Sequence, residues 1–250
     1  MSALKQWMAV GCLVLWGASV QAENLVSTVS YDPAQPKAQG TLVVPDQSGP
    51  KPALILIHEW WGLNDNIRDF AQEFADLGYV ALAVDMYNGE ATQDPQVARK
   101  LAGSVRGNLD GAFGNLRSAI EYLQSHPEVD ASRVAAVGWC FGGGWAYQMA
   151  KNDLGVRASV IYYGQFNPED DLNMMRASIM GHFGAEDRSI KVDDVKTFQA
   201  TLKTQGGDHE IFIYENAGHA FANKDNTRAY REDSAKQAWD RTTRFLKKHL

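Results

Sequence analysis

Two kinds of hydrophobic pattern alternate along the chain. Short continuous apolar runs, such as residues 52–57, fit strands that are buried on both faces of a sheet. Between these runs, apolar residues recur at helical spacing, as Ile67, Phe70 and Phe74 do within residues 64–77. Strands that alternate with helices are typical of βαβ units with right-handed crossovers. We therefore predict an α/β fold with a mostly parallel central sheet and helices on both faces.

The same pattern places the individual elements. Strands are expected at residues 26–31, 40–44, 52–57, 79–84, 133–137, 158–163, 178–183 and 209–214. Helices are expected at residues 64–77, 109–125, 143–152, 192–204 and 233–249. The polar residues 88–109, with the breakers Gly89, Pro95 and Gly103, are expected to form a partly helical lid or insertion. Neither an internal repeat nor a linker is visible, so residues 23–250 are expected to form a single domain.

The first 22 residues have the layout of a cleaved signal peptide. Lys5 precedes an apolar run at residues 7–18, and small residues stand at Val20 and Ala22, before Glu23. The alternative is a membrane anchor, but the apolar run is shorter than the roughly 20 residues that a span needs. We expect a periplasmic or secreted protein that has no membrane association after cleavage.

Composition and charge exclude several classes of partner. The chain has 250 residues, of which 45% are hydrophobic and 22% charged, as is usual for a soluble globular protein. Its net charge of −6 argues against a phosphate-binding surface, so nucleic acid is not an expected partner. No cluster of histidine, cysteine and carboxylate residues has the spacing of metal ligands, so neither a metal nor another cofactor is expected.

Chemically versatile residues follow the predicted strands. Active sites of open α/β sheets lie at the carboxyl ends of the strands, so these positions are the ones to inspect. They are His58-Glu59-Trp60, Asp85-Met86-Tyr87, Trp139-Cys140-Phe141, Tyr163-Gly164, residues 184–187 and Gly218-His219. A thiol, carboxylates and an imidazole are therefore expected to converge at one edge of the sheet.

Cys140 lies in the motif Gly138-x-Cys140-x-Gly142, which has the form of a nucleophile elbow with cysteine in place of serine. The flanking glycines permit a sharp strand-to-helix turn, and the helix N-terminus favours a thiolate and a developing oxyanion. Removal of the signal peptide would leave Cys140 as the single cysteine, so an internal disulfide is excluded from the mature chain. The alternative for this cysteine is a small buried hydrophobic residue.

The order of residues along the chain strengthens the interpretation of Cys140 as a nucleophile. Asp187 and then His219 follow it, and nucleophile, acid, histidine is the order of catalytic triads on this kind of sheet. His219 would activate the thiol, and Asp187 would orient the imidazole and stabilise its protonated form. Glu186 is the alternative for the role of Asp187.

These motifs together resemble the dienelactone hydrolase family. The resemblance rests on His58-Glu59-Trp60-Trp61-Gly62, Asp85-Met86-Tyr87, residues 138–143, residues 181–187 and Gly218-His219-Ala220-Phe221, and it extends from residue 25 to the C-terminus. It implies an α/β-hydrolase fold in which Cys140 is the nucleophile, His219 the base and Asp187 the orienting acid.

The resemblance also implies supporting roles. The backbone N–H groups of Phe141 and Trp60 would form the oxyanion hole. Glu59 would hold the resting thiol as a neutral hydrogen-bond donor and take its proton when substrate displaces that contact.

One part of the family pattern is absent from this sequence. Dienelactone hydrolases bind the substrate carboxylate with arginines, but the corresponding regions read Tyr87-Asn88-Gly89 and Phe221-Ala222-Asn223. The clamp is therefore missing or rebuilt from elsewhere, with Arg106 as one candidate. The expected substrate pocket is aromatic and would suit a neutral or aromatic acyl group; its residues are Trp61, Tyr87, Trp139 and Phe221.

We therefore expect a hydrolase that cleaves a small-molecule ester or lactone through a thioester acyl-enzyme, without a cofactor. Two alternatives belong to other functional classes: a non-catalytic binding protein on the same fold, and a thiol redox protein that uses Cys140. Transfer of the acyl group to an alcohol other than water is a further variant. The sequence leaves the physiological substrate and the oligomeric state open.

Overall fold

A computed structural model of the chain describes residues 23–250 as one eight-stranded sheet flanked by helices. The strands are β1 (Leu25–Ser30), β2 (Gln39–Val44), β3 (Lys51–Ile57), β4 (Val80–Val84), β5 (Val129–Trp139), β6 (Ala158–Tyr162), β7 (Ser178–Gly184) and β8 (Glu210–Tyr214). They lie in the order β1-β2-β4-β3-β5-β6-β7-β8. The six strands from β4 to β8 in this order are parallel, and β1 and β2 extend the sheet in antiparallel pairing. The predicted signal peptide at residues 1–22 lies outside the described residues and stays a prediction.

Helices cover both faces of the sheet, as the sequence predicted. They are α1 (Asp65–Asp76), α2 (Pro95–Gly107), α3 (Leu109–Ser125), α4 (Phe141–Lys151), α5 (Val192–Gln205) and α6 (Glu232–His249). The apolar faces of α3, α4 and α5 pack on one side of the sheet, and those of α1 and α6 pack on the other. Strands β3 and β4 are buried almost throughout because they are covered on both sides, which explains their continuous apolar sequence.

The insertion predicted at residues 88–109 contains the helix α2. Asp94 caps its N-terminus by accepting hydrogen bonds from the N–H groups of Gln96 and Val97, and Pro95 occupies the first turn. Within α2 only Ala98 and Ala102 are buried, and the helix rests on α3 at the surface of the molecule.

Strand β5 is longer than the predicted strand at residues 133–137. Its first half, from Val129, contains polar and exposed residues that lack the apolar signal of a buried strand. The carboxylate of Asp130 accepts hydrogen bonds from Ser132 and Arg133 there, and Lys51 pairs with Val129 before the register shifts towards Ala53. Polar pairing at this end of the strand therefore extends the sheet beyond its apolar core.

No helix within residues 23–250 is long and apolar enough to cross a membrane.

The chain reverses sharply between β5 and α4, and Cys140 is the single residue between the two elements. Its φ of 54° and ψ of −112° lie in a region that costs a non-glycine residue about 1–3 kcal/mol. Neighbouring backbone holds the residue in place, since the N–H of Cys140 donates to the carbonyl of Tyr162 at 2.9 Å. A Cβ atom on Gly138 would overlap the carbonyl of Gly142, and one on Gly142 would overlap the carbonyl of Ile57. The two glycines of the motif therefore allow the ends of β3, β5 and α4 to touch.

We predict that Gly142→Ala destabilises the protein by about 2–4 kcal/mol, because the added methyl group must displace the backbone at the end of β3. Urea denaturation measures the change. Gly114→Ala is the matched control: Gly114 lies within α3 with open space around it, so we expect a gain of up to about 1 kcal/mol. Equal effects of the two substitutions would contradict the steric explanation.

Candidate active site

Cys140, His219 and Asp187 form a continuous chain of hydrogen bonds. The Nε2 atom of His219 lies 3.0 Å from the Sγ atom of Cys140, and its Nδ1 atom lies 2.7 Å from Oδ2 of Asp187. The second oxygen of Asp187 accepts hydrogen bonds from the backbone N–H groups of Ser189 at 2.7 Å and Ile190 at 3.2 Å. These bonds fix the carboxylate, which in turn fixes the plane of the imidazole.

The surroundings of His219 favour its protonated form. Burial lowers its pKa, but the hydrogen bonds and charges of Asp187 and Cys140 outweigh burial and raise the pKa to about 10. An imidazolium has an N–H group on each nitrogen, so it donates to Asp187 and to the sulfur at the same time. The arrangement therefore favours a protonated imidazole that donates to both partners at neutral pH.

The loops that present these residues are held by close backbone contacts. A Cβ atom on Gly184, at the end of β7, would overlap the carbonyl of Ala217, and the N–H of Glu186 donates to that same carbonyl at 2.9 Å. The loop that contains Asp187 therefore packs directly on the loop that contains His219. Glu186, the alternative acid in the sequence, is exposed and does not take the place of Asp187.

Phe141 and Trp60, whose N–H groups are expected to form an oxyanion hole, lie at the carboxyl ends of β5 and β3. Phe141 is the first residue of α4, so its N–H has no acceptor within the helix. Trp60 follows β3, and the Tyr87 hydroxyl donates to its carbonyl at 3.1 Å. Both residues line the same cleft as Cys140.

His58 supports the loop that contains Trp60. Its Nε2 atom accepts a hydrogen bond from the N–H of Met86 at 3.2 Å, and its Nδ1 atom donates to the carbonyl of Glu59. Burial lowers the pKa of His58 to about 4, so the ring is neutral and its tautomer is set by these two bonds. The histidine that the sequence places beside Glu59 therefore stabilises the loop.

Glu59 is buried at the base of the site, and its contacts differ from those expected. Its Oε2 atom accepts a hydrogen bond of 2.6 Å from Nδ2 of Asn223, whereas the sulfur of Cys140 is bonded to His219. The expected contact between the thiol and Glu59 is not among the hydrogen bonds of residues 23–250. The partner of this carboxyl group is Asn223. The sequence drew attention to the region of Asn223 only because an expected arginine is absent there.

A cleft of about 1180 Å³ opens above Cys140. Cys140, His219, Glu59, Trp60 and Phe141 line the cleft. Apolar side chains and polar groups from α4 and from the loops after β6 and β7 complete the lining. Apolar lining residues include Trp61, Leu109, Phe113, Trp145, Phe166 and Ile190. The lining combines these apolar side chains with a larger number of polar ones, and a concave cleft of this size is typical of small-molecule sites.

Sequence comparisons agree with this geometry. The sequence model of the dienelactone hydrolase family matches residues 38–250. The chain belongs to the dienelactone hydrolase family.

Individual relatives extend over most of the chain. A protein of Saccharolobus solfataricus, provisionally named carboxymethylenebutenolidase, is 29% identical over 88% of this chain and 97% of its own length. A Bradyrhizobium protein named as a probable 2-oxo-3-(5-oxofuran-2-ylidene)propanoate lactonase is 31% identical over 84% of this chain and 88% of its own length. A solved structure from Klebsiella pneumoniae, provisionally named dienelactone hydrolase, has a TM-score of 0.79 and 25% identity, covering 90% and 99% of the two chains. The predicted α/β-hydrolase fold is confirmed, and the protein is a hydrolase of the dienelactone hydrolase type.

Of the four aromatic residues predicted to form the substrate pocket, the structure places one in the cleft. Trp61 lines it. Trp139 points from β5 into the opposite core, where its ring stacks on Phe70 at 4.5 Å, and it is buried. Phe221 is buried against Tyr163 at 5.4 Å.

Tyr87 is the fourth of these residues, and it too lies outside the cleft. Its hydroxyl supports Trp60, and its side chain borders a separate pocket of about 260 Å³. The prediction that Trp139, Tyr87 and Phe221 line the substrate pocket was therefore wrong. Their backbone positions lie near the site, but their side chains point away from the cleft.

Helix α2 brings positive charge to the cleft. Arg99 and Arg106 both line it, and the guanidinium of Arg106 lies 5.6 Å from the centre of the Phe141 ring. Arg106 was a candidate from the sequence, whereas Arg99 was not. No group of histidine, cysteine and carboxylate side chains in the described part of the chain could hold a metal ion.

We predict that Asp187→Asn lowers the pKa of His219 from about 10 towards its usual value of about 6.5, because the substitution removes a negative hydrogen-bond partner. NMR titration of the imidazole measures the change. Since the folded-state pKa is raised, protonated His219 stabilises the fold fully below pH 6.5, and this stabilisation is lost as the pH rises towards 10.

The matched control is Glu186→Gln, which removes an exposed carboxylate from the same loop. It should leave the titration of His219 close to that of the unmodified protein. A similar decrease in both variants would show that Asp187 has no special part in holding the proton.

Proposed function

We propose that the protein hydrolyses a carboxylic ester or lactone, with Cys140 as the nucleophile and a thioester as the covalent intermediate. The observation that carries this proposal is the hydrogen-bonded chain from Cys140 through His219 to Asp187 at the base of a cleft. Family membership supports the hydrolase class, and the geometry supports the choice of nucleophile.

In the first half of the reaction the sulfur of Cys140 attacks the carbonyl carbon and forms a C–S bond. The carbonyl oxygen becomes an oxyanion, which the N–H groups of Phe141 and Trp60 would stabilise. The oxyanion then collapses, the C–O bond to the leaving alkoxide breaks, and His219 transfers its Nε2 proton to that alkoxide.

In the second half water attacks the thioester. His219, now neutral, accepts a proton from this water, and the resulting tetrahedral intermediate expels the thiolate of Cys140. The product acid leaves, and the thiolate–imidazolium pair is restored. Asp187 keeps the imidazole in the tautomer and orientation that both proton transfers require.

The cleft indicates the kind of substrate. Trp60, Trp61 and Trp145 offer apolar contact to the body of the acyl or alcohol group, and Arg106 lies beside Phe141 close to the proposed oxyanion hole. We propose that an apolar or aromatic ester or lactone bearing an anionic group binds with that group towards Arg106. This arrangement would replace the missing arginines with a cation from α2.

Two other functions have less support. A thiol redox cycle needs a resolving cysteine, and Cys140 is the free cysteine within residues 23–250. A binding protein would not need the three-residue chain of hydrogen bonds or the strained turn at Cys140.

We predict that the protein hydrolyses members of a panel containing p-nitrophenyl acetate, an aromatic ester, neutral lactones and a dienelactone. Cys140→Ala should lower kcat/KM on the order of 10³-fold or more, because the bond-forming atom is removed. Product release measured spectrophotometrically, beside circular dichroism of the variant, separates chemistry from folding. Full activity in a folded Cys140→Ala variant would refute the proposed nucleophile.

Charge selectivity tests the position of Arg106. We expect Arg106→Gln to raise KM for an anionic ester by about two- to fivefold relative to its neutral analogue, the range for an exposed ion pair of up to about 1 kcal/mol. Lys100→Gln is the matched control, since Lys100 is exposed on the same helix outside the cleft lining. If both substitutions raise the ratio of KM for the anionic ester to KM for the neutral ester by the same factor, the effect comes from the total charge of α2 and not from the position of Arg106.

A further inference from the structure

The peptide group that joins Glu59 to Trp60 carries one of the two proposed oxyanion donors, the N–H of Trp60. The carbonyl oxygen of this peptide accepts hydrogen bonds from the Nδ1–H group of His58 and, at 3.3 Å, from the N–H of Gly62. The peptide is trans and planar, so its N–H points away from its C=O. The two bonds that hold the carbonyl of Glu59 therefore also fix the direction of the Trp60 N–H.

The ring of His58 makes this bond in one tautomer only. Its Nε2 atom lies 3.2 Å from the backbone nitrogen of Met86. Because a backbone N–H can only donate, Nε2 is unprotonated, and the single proton of the ring is on Nδ1. The ring is buried and packs on those of Tyr87 at 4.7 Å and Phe141 at 5.7 Å. The backbone that follows β4 therefore determines which nitrogen of His58 donates to the oxyanion loop.

The next peptide, between Trp60 and Trp61, is held by the hydroxyl of Tyr87. This hydroxyl donates to the carbonyl of Trp60 at 3.1 Å. Asp85 fixes the backbone of Tyr87 in turn, because its carboxylate accepts a hydrogen bond of 2.7 Å from the N–H of that residue. Both peptide planes that flank Trp60 are therefore fixed by groups from the loop after β4, one directly and one through His58.

Trp60 keeps its own N–H free while its two flanking carbonyls are bonded. This N–H is not among the donors of the hydrogen bonds within residues 23–250, and Trp60 lines the cleft. An N–H without an internal acceptor is available to a substrate oxygen. The ring of Tyr87 also packs at 5.3 Å on that of Phe141, which carries the second proposed donor. Tyr87 therefore contacts both residues of the proposed oxyanion hole, one through its hydroxyl and one through its ring.

We propose that His58 and Tyr87 are positioning residues that hold the N–H of Trp60 in place for the oxyanion. Neither side chain lines the cleft. His58 acts through the carbonyl of Glu59, and Tyr87 acts through the carbonyl of Trp60. A donor that is already in place needs no reorganisation when charge develops, so loss of either bond raises the barrier to acyl transfer. The inference rests on the proposed function, because it concerns the oxyanion of that reaction.

Tyr87→Phe removes the hydroxyl and keeps the ring, so it isolates the bond to Trp60. We expect kcat/KM for an ester to fall on the order of tenfold, mostly through kcat, as part of the roughly 10²–10³-fold contribution of one oxyanion donor. Tyr147→Phe is the matched control, since the hydroxyl of buried Tyr147 donates at 2.8 Å to Asp170 and not to the oxyanion loop. It should leave kcat/KM close to that of the unmodified protein. An equal fall in both variants, or none in Tyr87→Phe, would overturn the inference.

Two further measurements separate positioning of the donor from a general disturbance of the site. A thionoester replaces the carbonyl oxygen of the substrate by sulfur, a weak hydrogen-bond acceptor. The preference for the ester over the thionoester should decrease in Tyr87→Phe by about three- to tenfold, because the ester gains more from the donor. Alkylation of Cys140 by iodoacetamide forms no oxyanion, so its rate should not change. An unchanged ester preference, or slower alkylation, would mean that the hydroxyl has only a structural role.

Nitrogen NMR of the imidazole tests the part of His58 without turnover. At neutral pH we expect a proton on Nδ1 and none on Nε2. A proton on Nε2 would be incompatible with the bond from Met86 and would overturn the role of His58. Inactivity of the unmodified protein towards every ester would refute the proposed function. An active protein with the wrong tautomer or an unchanged ester preference would refute this inference alone, so the two failures are distinguishable.

Discussion

The structure depends on a steric constraint at the point where β5 meets α4. The carbonyl of Ile57 at the end of β3 touches Gly142 so closely that no side chain fits between them, and Gly138 touches the carbonyl of Gly142 in the same way. This contact forces Cys140 into its left-handed conformation and directs its sulfur to the edge of the sheet. It also places the N-terminus of α4 beside the loop of Glu59 and Trp60, so one packing contact positions the proposed nucleophile and both proposed oxyanion donors.

Charge in the buried site is arranged around a single cation. Protonated His219 donates hydrogen bonds to the sulfur of Cys140 and to the carboxylate of Asp187. These two partners raise the pKa of His219 by more than burial lowers it. Glu59 has the amide of Asn223 as its hydrogen-bond partner, and burial raises the pKa of its carboxyl group.

The sequence predicted the order of elements and the proximity of Cys140, Asp187 and His219 because both follow from local rules. Apolar runs identify buried strands, and strand-end positions converge in a parallel sheet, which is why Cys140, Asp187 and His219 could be placed together. Side-chain direction could not be predicted for Trp139 or Phe221, because it depends on which face of the sheet each residue meets. The bond between Asn223 and Glu59 was also inaccessible, since it joins two loops that are distant in sequence and carries no periodic signal.

We propose that Cys140 forms a covalent acyl-enzyme, and mass spectrometry of the rapidly quenched reaction can detect this intermediate. During turnover of p-nitrophenyl acetate, we expect the protein mass to increase by one acetyl group, with the adduct on the peptide that contains Cys140. Hydroxylamine should remove the adduct, as is usual for a thioester. An adduct on another residue, or turnover without any adduct at the earliest quench times, would contradict the account.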